Sequence, residues 1–135
     1  MSDGNNSERT AGIVVTHGKL AEELVRTAEL IVGPQEDLYA VSGSDLCDES
    51  VIGKIREFLG RREDARVVVF VDYFGGSCCI NSVRAVEGET GIKVVSGVNL
   101  PVLLAFATKR GTMPFEEMID HLIRRGRESL KVIDL

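Results

Sequence analysis

The chain is short of positive charge, of cysteine and of long apolar runs, and each shortage excludes something. There are 16 Lys and Arg against 21 Asp and Glu, a formal net charge of −5. That balance argues against a nucleic-acid or anionic-membrane surface, because both need clustered cations to displace counterions. The one basic run, Arg124, Arg125 and Arg127, falls near the end of an expected helix, where cations complement the helix dipole. No apolar stretch approaches the ~20 residues that span a bilayer, so no direct membrane insertion is expected. The three cysteines, Cys47, Cys78 and Cys79, are an odd count, which reads against a disulfide framework and for a reduced compartment. Adjacent Cys78 and Cys79 lack the spacing of a zinc or thioredoxin-like site, so no metal is expected. The chain has no Walker-type loop and no Rossmann fingerprint; no cofactor is expected either. Internal repeats and low-complexity tracts are also missing. The first ten residues, Met1 to Thr10, are polar and do not place an apolar core behind a charged start; they read as a disordered leader rather than a signal peptide. With no export signal the expected location is cytoplasmic.

What is present suits one domain over residues 11–135. A chain of this size buries roughly 70% of the surface its unfolded form exposes and needs no staple. Strand-like and helix-like segments alternate. Gly12 to Thr16 is a short β-branched run bounded by His17 and Gly18. An amphipathic segment follows with Leu20, Leu24, Ala28 and Ile31 on one face, stopped by Gly33-Pro34. Asp37 to Ser42 is a weaker strand. Ser44 and Asp45 offer caps for a helix carrying Val51, Ile52, Ile55, Phe58 and Leu59 and ending at Gly60. Val67 to Val71 is unbroken and apolar, as in a strand covered on both faces. A helix over about 76–86, a strand over Ile92 to Ser96 and a helix over Leu100 to Thr108 come next. Phe115, Met118, Ile119, Leu122 and Ile123 recur at helical spacing. Lys131 to Leu135 has the composition of a final strand.

Strands separated by helical segments predict βαβ units and a parallel sheet. The expected fold is α/β: a flavodoxin-like, doubly wound, mainly parallel sheet with helices on both faces. Such folds bind ligands beyond the carboxyl ends of the strands. Three groups lie there: Thr16, His17 and Gly18; then Asp72 to Ser77; then Gly97, Val98 and Asn99. If the first and third strands are neighbours, His17 and Asp72 meet. A neutral imidazole can attack phosphorus through one ring nitrogen while a carboxylate holds the proton on the other and offsets the charge that develops. Gly75-Gly76-Ser77 opens a helix, whose free N–H groups suit an anion. His17 and Asp72 are therefore the candidate catalytic pair, with Thr16, Gly75, Gly76 and Ser77 as candidate phosphate-binding residues. His121, on the last helix, reads as structural. Tyr73 and Phe74 read as crevice walls or partner contacts.

The segments GIVVTHGKLAEEL (Gly12 to Leu24), VFVDYFGGS (Val69 to Ser77) and VSGVNLP (Val95 to Pro101) occur in order and at strand ends. With them the chain resembles the EIIA component of the mannose family of bacterial phosphoenolpyruvate-dependent sugar phosphotransferase systems, from about Ala11 to Leu130. The resemblance implies that His17 accepts phosphate from the phosphocarrier HPr and donates it to a sugar-specific EIIB component. It implies that Asp72 hydrogen-bonds the imidazole and that Ser77 lies against the phosphate. It also implies a homodimer, to which Lys131 to Leu135 could lend a strand exchanged between subunits. One departure stands out: Cys78-Cys79-Ile80-Asn81 follows Gly-Gly-Ser where many members have Pro. A related phosphocarrier of dihydroxyacetone kinase usually has His-Ser where this chain has His17-Gly18. The alternative function is a regulatory binding module controlled by phosphorylation of His17, without a direct transport role.

Overall fold

A computed structural model describes residues 10–42, 49–62 and 66–135. Nine elements follow one another along them, strand and helix alternating up to a final pair of helices: β1 Thr10–Thr16, α1 Leu20–Val32, β2 Leu38–Ser42, α2 Glu49–Arg61, β3 Arg66–Val71, α3 Ser77–Ala85, β4 Ile92–Ser96, α4 Leu100–Lys109 and α5 Phe115–Glu128. The strands form one sheet in the order β2-β1-β3-β4, and every pairing is parallel. This is the flavodoxin-like α/β arrangement that the sequence pattern predicts.

The sheet is covered on both faces, which explains why its central strands are apolar without a break. Side chains alternate along a strand, so β1 and β3 feed two cores. Val14, Val68 and Phe70 pack with α1, α4 and α5. Ile13, Val15, Val67, Val69 and Val71 pack with α2 and α3. In the first core Phe70 meets Phe106 edge to face, with ring centroids 5.3 Å apart, a favoured aromatic geometry.

The face of α1 differs from the expected stripe. Ala21, Val25 and Ala28 are buried, whereas Leu20 and Ile31 are 47% and 58% exposed. The helix sets Ala21, Val25 and Ala28 against the sheet, with Leu24 partly buried beside them, and leaves Leu20, Leu30 and Ile31 outside. At the other boundaries the differences are small. Helix α2 runs one residue past Gly60, to Arg61, and β1 begins at Thr10, inside the segment assigned to the leader. The rest of that leader, and the caps Ser44 and Asp45, lie outside the described residues. Within this single chain Lys131 to Leu135 forms no strand, and Leu130, Val132, Ile133 and Leu135 are exposed. Strand β4 pairs only with β3, so its outer edge is open among the described residues.

Candidate active site

The register places the site. Val15 of β1 stands opposite Val71 of β3, so the residues that leave these strands, His17 and Asp72, emerge side by side at the carboxyl edge. The Asp72 carboxylate collects three donors. Its Oδ2 accepts from the His17 backbone N–H at 2.9 Å and lies 2.7 Å from His17 Nδ1. Its Oδ1 accepts from the Tyr73 N–H at 3.0 Å. Burial works to raise the pKa of Asp72, but the His17 amide, the His17 ring and the Tyr73 amide outweigh it, and the pKa falls below its ordinary value of 3.8. An ionised carboxylate can only accept, so the proton of a neutral imidazole sits on Nδ1. The lone pair is then on Nε2, which lies 3.0 Å from Ser77 Oγ, and the serine hydroxyl donates to it.

The loop between β3 and α3 is shaped for this contact. Gly75 has φ of 84°, a left-handed conformation that strains other residues. Gly76 has no room for a side chain, because a Cβ there would stand 2.6 Å from the Tyr73 ring. That ring in turn stacks on His17, with centroids 5.7 Å apart and planes 27° from parallel. Gly76 caps α3 without a side-chain hydrogen bond, so the first-turn N–H groups beside Ser77 have no side-chain cap and face an end that favours anions. The His17 side chain is 36% exposed while that of Asp72 is 13% exposed: the imidazole is partly open and the carboxylate that supports it is covered.

Thr16, a candidate phosphate contact, has its hydroxyl engaged in the turn. It is wholly buried. Its hydroxyl donates to the His17 carbonyl at 3.1 Å and accepts from the Ala21 N–H at 2.7 Å. Lys19, at the start of α1, supplies no side-chain cap, and Thr16 fills that role from three residues upstream. Its hydroxyl is engaged as donor and as acceptor, so Thr16 positions the His17 turn. The Gly97-Val98-Asn99 turn is likewise spent on structure: Asn99 Oδ1 caps α4 by accepting from the Val102 N–H at 3.0 Å.

Two neighbours of His17 that the sequence names only loosely take definite places here. Tyr73 is the ring against which His17 is held, while Phe74 beside it is 86% exposed. Cys78 is fully buried, with Sγ 3.6 Å from His17 Nδ1. Its place one residue after Ser77 was the available signal. Cys78 is held in a disulfide, contrary to the expectation drawn from the odd cysteine count; that count still leaves room for a single pair. Cys79 is a buried free thiol, and Cys47 lies outside the described residues. One ligand-type atom each from His17, Asp72 and Cys78 fall within 4.8 Å of one another, an assembly that spacing could not reveal. The Cys78 sulfur, bonded to another sulfur, carries no thiolate charge for a cation.

A parallel α/β domain that holds an imidazole by a carboxylate at the sheet's carboxyl edge is the class defined by this geometry. Residues 12–123 match the family model EIIA-man, described as PTS system fructose IIA component, and the chain belongs to that family. It is 34% identical over 130 residues to the PTS system mannose-specific EIIAB component of Escherichia coli strain K12, covering 92% of this chain and 40% of that protein. It is 23% identical over 125 residues to the PTS system fructose-specific EIIA component of Bacillus subtilis strain 168, covering 89% and 84%. The chain thus spans about 40% of the length of the first of these relatives. Among solved structures, the mannose/sorbose specific IIA subunit of the phosphotransferase system from Enterococcus faecalis superposes with a TM-score of 0.82 at 24% identity, covering 94% of this chain and 96% of that one. No helix among the described residues is long and apolar enough to cross a membrane.

Proposed function

We propose that the chain is a cytoplasmic phosphocarrier of a sugar phosphotransferase system, which accepts a phosphoryl group from phosphorylated HPr on His17 Nε2 and donates it to an EIIB component. The observation that carries this reading is the 2.7 Å contact of His17 Nδ1 with Asp72, which leaves Nε2 unprotonated at the open edge.

In the transfer, the Nε2 lone pair forms a bond to phosphorus as the bond between phosphorus and the donor's histidine nitrogen breaks. The His17 ring becomes positive, and Asp72 offsets that charge through the proton on Nδ1. The Ser77 hydroxyl, released from Nε2, turns to donate to a phosphoryl oxygen. The first-turn N–H groups of α3 face the other oxygens. Because the ring keeps its Nδ1 proton throughout, the same step runs backwards onto EIIB without a separate base. Tyr73 fixes the plane of the imidazole, and Phe74 offers an apolar contact to the docking protein.

A homodimer is part of the same proposal. The open edge of β4 and an exposed C-terminal segment carrying Val132 and Ile133 support an exchange in which Lys131 to Leu135 of one subunit pairs with the sheet of its partner. Incubation with phosphorylated HPr, then with a purified EIIB of the mannose family, tests the carrier role. Phosphate on both proteins in succession is expected. Phosphorylation of His17 with no onward transfer to any such EIIB would favour the regulatory module instead.

A further inference from the structure

A second polar pocket lies between α4 and α5 and shares no residue with the His17 site. Pro101, Leu104 and Ala105 of α4 give it an apolar floor, and Thr108, Lys109, His121 and Arg125 complete it around a volume of about 440 Å³. His121 and Arg125 stand one turn apart on α5, so they share a face. Lys109 approaches from α4. The dipole argument accounts for Arg125 near the end of α5, but not for its convergence with a lysine of another helix around an apolar floor. In a chain of net charge −5, Lys109, His121 and Arg125 enter no ion pair among the described residues. The Arg124 guanidinium is 3.2 Å from His121 Nδ1, a contact that requires this imidazole to accept and hence to be neutral.

We propose that this pocket binds a small phosphate monoester, with its carbon body on Pro101, Leu104 and Ala105 and its dianion among Lys109, His121 and Arg125. A pocket of several hundred Å³ with an apolar lining and a few convergent polar groups is the usual form of a small-molecule site. A phosphate dianion answers more than one cation, and the arginine fork matches its oxygens in pairs. A monocarboxylate would answer only one. The imidazole supplies an independent sign. Partial burial, then Arg124, Lys109 and Arg125, hold the His121 pKa below its ordinary 6.5, with Glu128 acting the other way. A bound dianion reverses that field and draws a proton onto His121.

The test is a titration of the full-length chain with phenyl phosphate at constant ionic strength, following the His121 ring proton by NMR. Inorganic phosphate and benzyl alcohol serve as controls. We expect a saturable shift and a raised His121 midpoint, with phenyl phosphate binding about tenfold tighter than inorganic phosphate, since the apolar body adds its own burial. Lys109→Gln and Arg125→Gln should each weaken binding by about tenfold, the loss of one charge-assisted contact, while His17 phosphorylation is unchanged. No saturable shift, equal affinity for inorganic phosphate, or an undiminished response in both variants would overturn the proposal. Failure here would leave the reading of His17 untouched, because the two sites share no residue.

Discussion

Asp72 Oδ2 accepts two hydrogen bonds from one residue, His17: the backbone N–H at 2.9 Å and Nδ1 of the ring at 2.7 Å. A carboxylate that grips both the main chain and the side chain fixes where the imidazole is, how it is turned and which nitrogen carries the proton. The adjacent ends of β1 and β3 make this geometry available, and the buried Thr16 hydroxyl holds the turn from beneath.

The first prediction concerns that carboxylate in transfer. Asp72→Asn preserves the size of the side chain but removes its charge and offers an amide that can also donate, favouring the wrong tautomer. A charge-assisted hydrogen bond is worth roughly 1.5–3 kcal/mol, so a bond that strengthens in the transition state corresponds to about 10- to 150-fold in rate. Rapid-quench measurement of transfer from phosphorylated HPr should show a loss in that range. Unchanged rates in both directions would remove Asp72 from the mechanism.

The same residue should show itself in acid. The folded-state pKa of Asp72 is depressed below 3.8, so its contribution to stability is complete above that value and is lost as pH falls through the folded pKa. Urea unfolding of the wild type and Asp72→Asn should therefore differ most at neutral pH and converge as pH drops below about 4. A gap that stays constant down to about pH 3 would contradict the assignment.

Thr16→Val tests positioning apart from chemistry. The substitution keeps the shape but leaves the Ala21 N–H without its partner. We expect a loss of about 1–2 kcal/mol in stability, read from urea unfolding, with His17 still able to accept phosphate. Wild-type stability would show that the buried hydroxyl does not hold the start of α1.

Assembly is tested by shortening the chain. If the C-terminal segment pairs with a partner's β4, deletion of Lys131 to Leu135 should weaken a dimer. Light scattering and sedimentation would show the intact chain as a dimer and the shortened chain shifted toward monomer. A monomeric intact chain at micromolar concentration would end the exchange idea.

The legibility of the site follows from where its residues stand. Val67 to Val71 and Ile13 to Val15 announce buried parallel strands by β-branched continuity, and the residue after a buried parallel strand is at the carboxyl edge by necessity. His17 and Asp72 could therefore be paired before any coordinates. The task of Thr16 could not, because it depends on how the His17-Gly18 turn folds back to present the Ala21 N–H. The face of α1 is not legible for a related reason: periodicity reports a stripe but not which residues a close helix–sheet approach selects, and here Ala21 and Ala28 fit where Leu20 and Ile31 would not. Gly76 looked like part of an anion loop, but its lack of a side chain is also demanded by the Tyr73 ring, a contact invisible in sequence. The surroundings of Cys78 likewise depend on chain segments far apart in sequence.

Everything in the proposed transfer depends on one nitrogen of one histidine carrying phosphate. Incubation with phosphoenolpyruvate, the system's first enzyme and HPr, followed by intact-mass and site-resolved mass spectrometry under alkaline conditions, tests it most directly. A single acid-labile, base-stable phosphoryl group is expected on His17, absent from His17→Ala and present at near-normal level in His121→Ala. Phosphorylation of the His17→Ala protein by phosphorylated HPr, or an unlabelled wild type with authentic HPr, would contradict it.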